Sequence, residues 1–81
     1  MKMNRYSKQS TRILRRIQPK QRAVIIAKIN AYGAGEDVDV KRLSGSEFLR
    51  IRVGQWRVLI DDDGIVIVVE KIAPRGGVYK S

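Results

Sequence analysis

Phe48-Leu49-Arg50-Ile51-Arg52-Val53-Gly54-Gln55-Trp56-Arg57-Val58-Leu59-Ile60 is the stretch whose reading decides the fold. Arg50 and Arg52 alternate with Leu49, Ile51 and Val53. Successive side chains of a strand point to opposite faces, so the apolar trio faces a core and the two arginines share the other face. Gly54-Gln55 makes a tight connection, and Trp56 to Ile60 forms the next strand. A row of cations on a sheet is costly unless it is solvated or has an anion to bind. Phosphate of RNA or DNA is the anion that fits it first.

Working outward, Asp61-Asp62-Asp63-Gly64 is a hairpin turn signal. The continuous apolar run Ile65 to Val69 predicts a strand buried on both faces and central in the sheet. Upstream, Ser44-Gly45-Ser46 turns the chain, and Val38 to Leu43 alternates weakly. Further upstream the period is helical. Ser7 suits the N-cap of a helix running to about Ile17, with Ile13, Leu14 and Ile17 on its apolar side. Pro19 suits the first turn of a second helix, in which Val24, Ile25, Ile29 and Tyr32 recur, and Gly33 and Gly35 end it. Met1 to Tyr6 reads either as a frayed end or as a clipped edge strand. The expected fold is α+β: one domain over residues 1–81, with an N-terminal helical hairpin packed on a small antiparallel sheet of three to four strands.

Composition removes several chemistries. The 81 residues contain neither cysteine nor histidine. Disulfides, thiolate metal sites, and the commonest general base and metal ligand are therefore out of reach. The three consecutive aspartates lack calcium-loop spacing and read as exposed turn residues, so no metal and no small-molecule cofactor is expected. No apolar run reaches the length of a membrane span and no signal peptide is visible, which predicts a cytoplasmic protein with no membrane partner. The net charge of +9 is unevenly placed. Residues 1–30 carry nine Lys or Arg and no Asp or Glu; residues 50–81 carry six basic and four acidic side chains. One basic zone is thus helical and the other lies on strands, the footprint of polyanion binding or of a solvated basic surface.

From Val40 to Tyr79 the chain resembles the RelE/ParE superfamily of bacterial type II toxins. The matching pieces, in order, are Lys41-Arg42-Leu43-Ser44-Gly45, then Leu49-Arg50-Ile51-Arg52-Val53-Gly54, then Trp56-Arg57-Val58-Leu59. Asp62-Asp63-Gly64 with Ile65-Val66-Ile67-Val68-Val69 follows, and Arg75-Gly76-Gly77-Val78-Tyr79 closes the series. The chain departs from the family in its short first strand, in Ala73-Pro74 before the closing arginine, and in arginines where lysines often stand on the basic strand.

The resemblance implies a toxin that cuts messenger RNA on the ribosome without a metal and is restrained by a cognate antitoxin. In that reaction the ribose 2′-hydroxyl attacks the adjacent phosphorus, leaving a cyclic phosphate and a 5′-hydroxyl. It implies that Arg57 stabilises the transition state, that Arg75 sits near the leaving oxygen, and that Arg50 and Arg52 hold the scissile and flanking phosphates. Tyr79 would stack on a base or orient the 2′-hydroxyl. Lys41, Arg42 and Lys80 join the RNA-binding set. Arg52 cannot readily accept a proton, which leaves Tyr79 as the candidate base and Lys71 and Lys80 behind it. The alternatives are a gyrase poison of the same superfamily, or an inactive nucleic-acid-binding relic.

Overall fold

The computed structural model describes residues 3–74. Seven elements run in the order β1 (Met3–Tyr6), α1 (Lys8–Arg16), α2 (Pro19–Gly33), β2 (Val40–Arg42), β3 (Leu49–Val53), β4 (Trp56–Asp62) and β5 (Val66–Pro74). They form one five-stranded sheet, ordered β1-β5-β4-β3-β2, with the two helices on one face. All pairings are antiparallel except β1 with β5.

The expected three to four antiparallel strands are therefore five in a mixed sheet. The difference is β1, which is a full edge strand and not a frayed end. It pairs Met3 to Tyr6 with Val66 to Val69, so the apolar run gains a second hydrogen-bonding neighbour. The central strand is β4, and β5 lies beside it. Nor is β5 buried on both faces. Ile67, Val69 and Ile72 are buried, but Val66 and Val68 are half-buried and Ile65 is exposed in the turn, because the helices cover only one side. The three aspartates divide between two elements. Asp61 and Asp62 end β4, while Asp63 shapes the turn by accepting the N–H groups of Ile65 and Val66. Those two bonds hold the Asp63 carboxyl below its ordinary range.

Local signals set the helix ends where the sequence placed them. Ser7 is the N-cap of α1 and its hydroxyl accepts the Ser10 N–H. Pro19 opens α2, and Gly33 is its last residue. Between them, the Arg22 guanidinium donates to the Leu14 and Ile17 carbonyls at 2.6 and 3.3 Å, satisfying acceptors left open at the end of α1. Leu14, Ile25 and Ile29 meet Ile51, Val53, Val58, Ile60, Ile67, Val69 and Ile72 in a single core. Val24 is not part of it; it is exposed.

A register shift between Leu59 and Ile60 leaves Glu70 as an extra residue in β5. Past the end of β1, the backbone groups on the edge of β5 must find partners elsewhere, and α1 supplies them. The Ser7 hydroxyl donates to the Glu70 carbonyl at 2.7 Å, and buried Ser10 donates to the Val69 carbonyl at 2.9 Å. Gln9 donates to the Ile72 carbonyl and accepts the Ile72 N–H.

Two outcomes check this architecture. Ile51→Asp abolishes the cooperative thermal transition followed by circular dichroism, because it sets a charge in the fully buried floor. Ile51→Val costs only about 1 kcal/mol. At the far end of α2, the Tyr32 hydroxyl donates to Asp62 Oδ2 at 2.6 Å. Burial, then that bond, then the carboxylate charge push its pKa up to about 12. The phenol keeps its proton in the folded chain after the unfolded chain has lost it. Its contribution is therefore complete below about pH 10 and is lost as pH rises through 12. Ultraviolet titration should show a late-ionising tyrosine that Tyr32→Phe removes.

Candidate nucleic-acid interface

Sheet register puts the arginines together. Gly54 sits at φ 59° as the first residue of the two-residue β3–β4 turn, with a negative φ at Gln55. That is the type II′ geometry that suits glycine there and matches strand twist. The turn fixes Val53 opposite Trp56 and Arg52 opposite Arg57. The Arg52 N–H donates away from β4, to the Asp39 carbonyl at 2.9 Å. Arg52 and Arg57 are thus a non-hydrogen-bonded pair, the closer kind, with Cα atoms about 4.5 Å apart. Both side chains leave the face opposite the helices.

The next row on that face, two residues along, joins Lys41 opposite Arg50, Arg50 opposite Leu59, and Leu59 opposite Lys71. Lys71 stands diagonal to Arg57, and Ala73 lies directly beside Arg57. Arg42 does not join them. It follows Lys41 in a strand, so it points to the helix side, where its charge reaches Tyr32. Lys41 and Arg42, both expected in the RNA-binding set, thus lie on opposite faces of the sheet. Arg75, Tyr79 and Lys80 lie outside the described residues.

Depth distinguishes the arginines. Arg52 is exposed. Arg57 was expected on an open surface, yet it retains only 6% of its exposure. Its Nη1 turns back toward the turn, donating to the Gly54 and Trp56 carbonyls at 3.5 and 3.4 Å, at the long limit for such bonds. Its buried Nε has no acceptor among the described residues. The Arg50 side chain is 15% exposed and its Nη2 meets Asp39 Oδ1 at 3.2 Å, while its Nε is also without an acceptor.

Asp39, which the sequence reading did not select, holds β3 twice: its carboxylate meets Arg50 and its carbonyl accepts Arg52. No pattern in the sequence marks it, since the contact forms only once β2 and β3 are paired. Arg50 and Asp39 form an ion pair on the arginine face, and no cluster of three metal-binding side chains occurs among the described residues. No described helix is long and apolar enough to cross a membrane.

Chemically, the face offers two cations forced into close register, one of them buried with an unfilled donor. Like charges directly opposite destabilise a strand pair. An anion bridging them removes that cost and satisfies the donor. The planar fork of arginine suits two phosphate oxygens at once.

No protein-family model and no curated protein matches the chain. Solved structures do. A chain of the RelB–RelE antitoxin–toxin complex of Methanococcus jannaschii superimposes with a TM-score of 0.74 at 22% identity, covering 94% of this chain and 95% of that one. A chain of the RelE–RelB complex of Pyrococcus horikoshii gives 0.74 at 22% identity, covering 94% and 97%. A mutant of YafQ from E. coli gives 0.67 at 13% identity, covering 99% and 100%. The chain therefore has the RelE-like fold over most of its length.

The like-charge pair has a measurable signature. Arg52→Gln, which removes one charge at nearly constant length, should raise stability toward urea by about 0.5 kcal/mol at low ionic strength. The gain should shrink in about 1 M salt, where the Debye length is about 3 Å.

Proposed function

We propose that this chain is the toxin of a type II toxin–antitoxin pair and that its arginine face cleaves messenger RNA bound to the ribosome. The observation that carries the reading is the Arg52–Arg57 pair: adjacent cations on an open sheet face, one of them buried with an unfilled donor, in a RelE-like fold.

In this reading the 2′-oxygen attacks phosphorus in line with the 5′-oxygen, and negative charge grows on the equatorial oxygens and on the leaving group. Arg57, fixed against the turn and shielded from water, supports that charge where a desolvated donor is most effective. Exposed Arg52 binds the scissile phosphate from the mouth of the site. Arg50, steadied by Asp39, and Lys41 hold flanking phosphates. Arg75 attends the leaving oxygen and Tyr79 orients or deprotonates the 2′-hydroxyl, roles that the family resemblance supports. The products are a 2′,3′-cyclic phosphate and a 5′-hydroxyl, with no metal required. Alignment of the RNA by the ribosome lowers the entropic part of the barrier.

A cognate antitoxin belongs to the same reading. The solved neighbours from M. jannaschii and P. horikoshii are complexes with RelB. In this chain, residues 3–35 carry eight Lys or Arg and no carboxylate, so an acidic partner segment has charge to meet. The site of action is the cytoplasm, where translation occurs.

Inducible expression in bacteria without an antitoxin tests the proposal. Growth arrest with new 5′ ends inside translated codons is expected, and Arg57→Ala should abolish both while the protein stays folded. Arrest with intact messenger RNA and broken DNA would instead indicate a gyrase poison, and absence of arrest would indicate a binding module.

A further inference from the structure

A groove lies on the helix side of the sheet, and the arginine chemistry does not use it. It measures about 540 Å³ and opens where α2 begins, beside the β3–β4 turn. Its apolar lining comes from one row across three strands, because Val53 pairs with Trp56 and Trp56 pairs with Pro74. Ile25 and exposed Val24 of α2 line the facing side. Among the described residues the polar lining is three carboxamides, Gln18, Gln21 and Gln55, with one charge, Lys20.

We infer that this groove is a nucleobase-binding subsite that receives a base of the RNA next to the phosphate held by Arg52 and Arg57. Three features select that occupant. Half-buried Trp56 beside Pro74 offers an apolar surface for stacking, which is sequence-tolerant and contributes about 1–3 kcal/mol per base in single-strand binders. The carboxamides each present a donor and an acceptor, the pairing that a base edge needs and an aliphatic side chain does not. Lys20 adds a cation for the nucleotide's own phosphate, and no carboxylate stands among the described lining residues to repel it.

Position supports the same occupant. The Val53–Trp56–Pro74 row is one residue along the strands from the Arg52–Arg57–Ala73 row and points to the opposite face. Only Gly54 and Gln55 separate the two faces at the sheet's end, and both line the groove. Arg57 reaches toward this same turn through the Gly54 carbonyl. A nucleotide chain rounding the turn therefore meets the arginines on one side and the groove on the other. Here Gln18, Gln21 and Gln55 are specificity residues, and Trp56 is a binding platform.

The inference rests on the RNA reading of the arginine face, but it can be tested without cleavage. Trp56 is the sole tryptophan, so its fluorescence reports the groove directly. The four nucleoside 5′-monophosphates should quench it saturably and with unequal affinities, whereas ribose 5-phosphate should not. Gln18→Leu with Gln21→Leu should weaken the best nucleotide by about tenfold and flatten the differences among the four. Equal responses to ribose 5-phosphate and the nucleotides would overturn the inference, as would quenching indifferent to the glutamine changes in folded protein. Loss of messenger RNA cleavage in the expression experiment, with base-dependent quenching retained, would count against the nuclease and not against the groove.

Discussion

A two-residue turn governs this molecule. Because Gly54-Gln55 is the shortest connection that suits paired strands, no slack remains in the register of β3 against β4. Sliding by one residue would carry Ile51 and Val58 out of the core and drive Arg50, Arg52 and Arg57 into it. The apolar row on the helix side and the cationic row on the other face thus specify each other. The core fixes the register by hydrophobic burial, and the register then forces Arg52 and Arg57 together against their mutual repulsion. A free folding domain gains nothing from that repulsion, which is the physical argument for a ligand.

The second constraint acts from the other end of the chain. Past the end of β1, the edge of β5 meets α1: Ser7 and Ser10 donate to the Glu70 and Val69 carbonyls, and Gln9 bonds both backbone groups of Ile72. These contacts span about sixty residues and seat the helical layer on the sheet. The extra residue in β5 shifts its alternation so that Ile67, Val69 and Ile72 all face the core, while Lys71 and Ala73 stay on the arginine side. Most helical positive charge and sheet positive charge consequently occupy separate surfaces. Arg42, a strand residue on the helix side, is an exception.

What the sequence showed and what it hid follow from the range of each signal. Ser7, Pro19 and Gly33 mark helix ends through contacts within a few residues, and alternation from Leu49 to Ile60 reads directly as a hairpin. The placement of Arg50, Arg52 and Arg57 on one face was legible for the same reason. β1 was legible only as one of two alternatives, because four residues of mixed polarity become a strand only through parallel pairing with a segment about sixty residues away. The bulge was hidden, since its partners lie in α1. Depth was hidden too: a period of two tells which face Arg57 takes but not that it is nearly buried there. Asp39 acquires meaning only when β2 closes on β3, and Val24, helical in spacing, proved to line a groove and not the core.

The central proposal is that arginines on a rigid sheet face promote an internal attack by ribose on its own phosphate. The most direct measurement uses purified ribosomes programmed with a messenger RNA whose ribose is 2′-deoxy at the cleaved position, compared with the all-ribose message. The ribose message should be cut to a 2′,3′-cyclic phosphate end while the deoxy message remains whole. Equal cutting of the two, or new ends that carry a 5′-phosphate, would contradict it.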